Sequence, residues 1–210
     1  MALDELLDEH EQGEKVRTWL KENGLGIVGG LVLGLALIGG GKWWLQKQHH
    51  ERVATGEAYD RMVARIEAGE LEQAASAADA LATTSYAPLA ALSLAKGQLD
   101  AGDRDAAIAT LRAARSEDSG LAAVIEHRLA RLLIDAGQGE EALALLAAAD
   151  DAAALETRGD AHFALGREQQ AREEYEQALR KLDVAAPQRA LLELKLTQTG
   201  ATPDTTGTES

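Results

Sequence analysis

Four glycines set the scale on which this chain must fold. Gly69, Gly102, Gly137 and Gly166 lie 33, 35 and 29 residues apart, in "EAGELEQA", "DAGDRDAA", "DAGQGEEA" and "ALGREQQA". Five positions after each stands an alanine: Ala74, Ala107, Ala142 and Ala171. Seven positions before the last three stand Ala95, Ala130 and Gly159, and twelve after come Leu81, Ala114, Ala149 and Ala178. The segments between are rich in Ala and Leu, with no proline between Pro88 and Pro187. Such a period predicts helix pairs joined at glycine, with small residues at fixed offsets letting the two helices close on each other. One pair cannot bury its apolar face alone, so the pairs must stack.

This spacing is that of tetratricopeptide (TPR) repeats. It is clear in the second to fourth units. The first carries Met62 where the others have a small residue, and the proline that usually ends each repeat is missing. "PQRALLELKLTQ" predicts a capping helix with Pro187 in its first turn. The predicted fold class is all-α: a single N-terminal transmembrane helix, then a TPR-like α-solenoid of about three to four helix pairs with a C-terminal capping helix.

The transmembrane helix is read from "NGLGIVGGLVLGLALIGGGKWW", which is uncharged from Asn23 through Gly41. At about 1.5 Å per residue that run spans roughly 28 Å, close to the ~30 Å hydrocarbon core. Trp19 precedes it, and Trp43 and Trp44 close it, where interfacial aromatics belong. A phosphate-binding loop is excluded by spacing: with Gly41-Lys42 as its "GK", the earlier glycine would fall on Ala36 and the hydroxyl on Trp43. A cleaved signal peptide is excluded by the acidic start "MALDELLDEHEQGE" and by the length of the apolar run. Gly26, Gly30 and Gly34 recur every fourth residue. They form either a ridge that lets another membrane helix approach closely, or merely the glycine common in membrane helices.

Residues 2–22 predict a short acidic amphipathic helix, and from Trp43 the helix should run on through "LQKQHHERVATGEAYDRMVARIEAG". The domains expected are a cytoplasmic arm (1–22), a membrane helix (23–45), a periplasmic repeat domain (46–198) and a disordered polar tail (199–210). Basic residues do not orient the span. Lys15, Arg17 and Lys21 precede it, and Lys42, Lys47, Arg52 and Arg61 follow it.

Charge and chemistry narrow the function. Residues 53–210 hold 15 Lys and Arg against 27 Asp and Glu, a net of −12, which argues against nucleic acid. Cysteine is absent, so disulfides and thiolate metal sites are excluded. His49 and His50 are sequence neighbours, which point about 100° apart on a helix and do not form the i, i+4 zinc pair. His10, His127 and His162 have no nucleophile at a recognisable spacing. The acidic "REEYEQ" lacks a glycine-bent calcium loop. The chain is expected to be no enzyme, with no cofactor, no metal and no small-molecule substrate. A membrane-anchored hydrolase using His127 or His162 is the rival reading.

If the first helix of each pair lines a groove, the repeat frame places Leu92, Lys96 and Leu99 there, then His127, Arg131 and Ile134, then Glu156, Asp160 and Phe163. That mixture of apolar and charged groups suits an extended peptide or a partner's tail. The competing expectation is that several of these residues pack into neighbouring repeats.

"KVRTWLKENG" entering one span, "YAPLAALSLAKGQLDAGDRDAAIATLRAA", "RLARLL", "RGDAHFALGREQQAREEYEQAL" and the closing "RALLELKL" occur in this order. Over about residues 8–198 this resembles the YfgM family, the ancillary subunits of the SecYEG translocon. The resemblance implies a single-pass protein of the bacterial inner membrane with its N-terminus in the cytoplasm. It implies a periplasmic repeat domain beside the translocon and a membrane-anchored periplasmic chaperone. The glycine density of this span departs from the family pattern. A TPR scaffold for envelope or cell-division machinery unrelated to export is the alternative.

Overall fold

A computed structural model describes residues 2–200. They form helices joined by short turns, with no strand among the described residues. The chain divides into two units, one ending at Ala54 and one beginning at Thr55. Helix α1 (Ala2–Glu67) runs without a break, so the separate arm helix and span expected from sequence are one element. Residues 201–210, most of the expected disordered tail, lie outside the described residues.

In the first unit, α1 carries an apolar stretch long enough to cross a membrane, with a mean hydropathy of 1.9 over its best 18 residues and none of that window buried. Leu31, Val32, Leu33, Leu35, Leu37 and Ile38 are all exposed. A contiguous apolar surface of this kind marks a contact with lipid or protein. Trp19, Trp43 and Trp44 are exposed at its two ends. At Gly26, Gly30 and Gly34 an added Cβ would meet no atom within 4 Å.

The second unit is a stack of helix pairs. The end of α1 pairs with α2 (Leu71–Ala80), α3 (Ala87–Asp100) with α4 (Arg104–Ala113), α5 (Ser119–Asp135) with α6 (Gly139–Leu145), and α7 (Ala152–Ala164) with α8 (Glu168–Lys181). Helix α9 (Arg189–Gln198) then packs on α8. It starts two residues beyond Pro187, so the proline precedes the helix instead of lying in its first turn. Each second helix packs on the first helix of the next pair, and α5 also touches α3 and α7 directly.

The four glycines make the bends. Each has φ between +72° and +86°, the left-handed region where only glycine is free of a Cβ penalty. At Gly69 the amides of Gly69 and Glu70 bond the carbonyls of Ile66 and Arg65 at 3.0 and 2.9 Å. Gly102 and Asp103 repeat the pattern on Leu99 and Gln98, Gly137 and Gln138 on Ile134 and Leu133, and Gly166 and Arg167 on Phe163 and His162. This is the Schellman motif four times over, satisfying carbonyls that a helix end leaves open. Aspartates start three of the helices: Asp103, Asp118 and Asp151 each accept first-turn amide hydrogens on α4, α5 and α7.

The small residues sit where helices cross. Ala74, Ala107, Ala142 and Ala171 are at most 1% exposed. Gly159 has the ring of Tyr175 where a Cβ would be, and Gly97 has Ile66 there. The core falls into three clusters along the stack, one around Met62 and Leu94, one around Leu133 and Leu146, and one around Leu155 and Leu192. Met62, the larger residue in the first unit, is fully buried. Burying a side chain of that size contributes about 1.5–3 kcal/mol. Tyr59 secures the same junction by sharing a 2.9 Å hydrogen bond with Ser93 and packing on Tyr86 at 5.3 Å between ring centres.

Candidate partner-binding surface

Two parts of the repeat unit bring the sequence-predicted groove residues together, and they differ in kind. Between α3 and α5 lies a cavity of about 450 Å³ lined by Leu92, Lys96, Leu99 and Arg131, four of the nine predicted residues. Leu111 and Leu132 complete its apolar floor, and Arg128, Asp100 and Asp135 stand around it. Leu92 is buried and Leu99 is half-exposed, so the first belongs to the core and the second is open to a ligand. Lys96 donates to Asp100 one turn on along the exposed face of α3. A cavity of this volume, apolar at its base with a few charges at its edge, has the form of a binding site.

The second place is the junction of α7, α8 and α9. Here Glu156 and Asp160 face the ammonium of Lys195, at 2.6 and 2.8 Å. Tyr175 donates its hydroxyl hydrogen to the other oxygen of Asp160 at 2.9 Å. Burial works against the charge on Lys195, but hydrogen bonds and the negative charges of Asp160 and Glu156 outweigh it and hold its pKa above the ordinary value. Burial first, and then the charge of Asp160, push the Tyr175 hydroxyl far upward, so it is a permanent donor. On the same two helices, Arg158 grips Glu174 with two nitrogens at 3.1 and 2.8 Å, and reaches the carbonyl of Ala149 at 3.1 Å. The pair is mostly buried, and its fork geometry fixes α7 against α8. Glu156 and Asp160 thus have partners inside the chain already, and what they hold is the end helix.

The remaining predicted residues are dispersed. Ile134 packs against the central core cluster. His127 lies 3.6 Å from Asp151 at the start of α7. Phe163 is 41% exposed near the end of α7. His162, named in the hydrolase alternative, has a buried Nδ1 with no hydrogen-bond partner, and burial lowers its pKa below the usual histidine value. No group of three or more metal-ligating side chains occurs among the described residues.

Sequence reasoning missed Lys195, Arg158 and Arg128. Lys195 follows the core residue Leu192 by three positions and therefore shares its face, in "LLELKL". That placement was the available signal: a lone cation on a buried stripe needs a partner. Arg158 and Arg128 carried no signal of their own, since their neighbours come from other helices.

The sequence pattern of the tetratricopeptide repeat-like domain matches residues 17–201, nearly the whole chain. This chain belongs to that family. The matched range takes in the apolar run as well as every helix pair. Two relatives resemble the chain further. An Escherichia coli K12 protein named "Ancillary SecYEG translocon subunit" is 28% identical over 197 residues, covering 90% of this chain and 95% of its own length. A Haemophilus influenzae protein of the same name is 28% identical over 145 residues, covering 67% of this chain and 71% of its own.

Proposed function

We propose that this chain is a membrane-anchored, non-catalytic interaction subunit of the protein-export channel. One observation carries the reading: the likeness to a translocon subunit extends over 95% of that relative's length. The likeness covers 90% of this chain and so reaches into both its apolar stretch and its stacked helix pairs. On this reading α1 holds the chain in the bacterial inner membrane with its N-terminus in the cytoplasm. The repeat unit stands in the periplasm and offers the α3–α5 face to a periplasmic partner, a membrane-anchored chaperone among them. Gly26, Gly30 and Gly34 would receive a membrane helix of the channel. The open cavity beside Leu99 supports binding, and the pairing of Glu156 and Asp160 with Lys195 supports a structural role for those carboxylates.

Affinity purification of the full chain in mild detergent should recover channel subunits. Their reproducible absence refutes the proposal. A reporter active only outside the cytoplasm, fused after Ser210, should give signal. A silent fusion there, with the same reporter active at Met1, reverses the orientation and removes any role with exported chains.

A further inference from the structure

The repeat unit is strongly acidic, and nearly every cation in it is engaged. Arg112 pairs with Glu141, Arg158 with Glu174, Arg167 with Glu140, Lys181 with Asp150, Arg189 with Glu193, and Lys195 with two carboxylates. Arg61 and Lys96 have acidic partners one turn away on their own helices. Arg65, Arg104, Arg115 and Arg172 donate to backbone carbonyls. Among the described residues of this unit, that leaves Arg128, Arg131 and Arg180 without an ion pair or a side-chain hydrogen bond. Two of the three border the same cavity, the one floored by Leu92, Leu111 and Leu132.

With so many carboxylates in the chain, cations left unpaired at one apolar hollow are the exception. They sit three residues apart on α5, hence on neighbouring positions of one helix face. Guanidinium groups present several donors in a fixed fork that matches a carboxylate. Leu99, half-exposed at the same cavity, supplies apolar surface.

We propose that the α3–α5 cavity binds an extended peptide segment in which apolar side chains alternate with acidic ones. The apolar group enters over Leu99 and the floor, and the carboxylates are taken by Arg128 and Arg131. Asp135, also without a side-chain partner, accepts a backbone amide of the same segment. A polyanionic nucleic acid does not fit, because two free cations stand against the net charge of −14 on the whole chain. The proposal rests on the reading of this face as the partner-binding one and gives that partner its chemistry.

The test uses the full chain in lipid nanodiscs and three fluorescent peptides blocked at both ends. They are Gly-Glu-Leu-Glu-Leu-Glu-Gly, the same peptide with Lys for Glu, and the same with Ser for Leu. Anisotropy should show binding of the first and not of the other two. The double variant Arg128→Gln/Arg131→Gln should weaken it about tenfold, as expected for the loss of charge-assisted hydrogen bonds. Leu99→Ser should weaken it as well. Arg180→Gln, which removes the free cation away from the cavity, should leave it unchanged. These side chains are exposed, so the variants should keep the parent's circular dichroism. Equal binding of the lysine peptide, or full binding by the double variant, overturns the proposal. So does failure of the acidic peptide to bind. Channel subunits recovered from the same preparations separate the two readings: if they co-purify while the peptide fails, the inference alone falls.

Discussion

At the scale of single residues, the helix crossings are set by what is left out of side chains. Gly159 has no Cβ because the Tyr175 ring occupies that space, and the ring is held in turn by its hydrogen bond to Asp160. Gly159→Ala should therefore displace the ring and destabilise the chain by about 1–3 kcal/mol, measured by urea unfolding of the purified protein. A substitution without effect would mean that Tyr175 has room to move. Lys195→Met tests the adjoining network. It strands Glu156 and Asp160 beside α9 and should cost about 1–3 kcal/mol, while leaving the α3–α5 cavity untouched. The Lys195 pKa is raised on folding, so its contribution is fully present below the unfolded value and is lost as pH rises through the folded one. The stability gap between parent and Lys195→Met should accordingly narrow in the alkaline range above the ordinary lysine pKa. A gap that stays constant there would place the effect in packing instead of charge.

At the scale of elements, the bends were legible in the sequence and the lateral pairings were not. Gly69, Gly102, Gly137 and Gly166 act through their own backbone, and their flanking alanines pack at a fixed helical offset. Both effects are local, so residue spacing alone reports them. Glu156 and Asp160 looked like open groove positions because their partner lies 39 and 35 residues away, on a helix whose register against α7 no local pattern encodes. Leu92 failed to read as core for the same reason: Ile125 and Leu129, members of its cluster, come from the next pair. Helix α9 has an inner face of Leu192 and Leu196 that closes the last core cluster, while Leu191 and Leu194 point outward. Removing everything after Lys181 would expose Leu155 and Tyr175 to water. Such a truncated chain should show a lowered Tm and faster proteolysis within α7 and α8, with the α3–α6 region protected. Uniform loss of protection would show that the pairs do not act as nearest-neighbour units.

At the scale of the whole molecule, stability should be graded along the repeat unit. The central core cluster is the largest, drawing buried residues from α3, α4, α5, α6 and α7, while the two outer ones are smaller. Amide hydrogen exchange should find the slowest opening in α5 and the fastest in α9. Equal protection throughout would contradict a stack held by neighbour contacts. The same arrangement has a consequence in time. Synthesis delivers the apolar stretch of α1 first, and each pair then closes its core against the first helix of the pair that follows. Each layer is therefore completed by the arrival of the next one. For α7 and α8 the closing element is α9, which brings Lys195 to Glu156 and Asp160 and Leu192 to the cluster that holds Tyr175. Until α9 has been made, Leu155 and Tyr175 lack the cover that Leu192 and Leu196 give them.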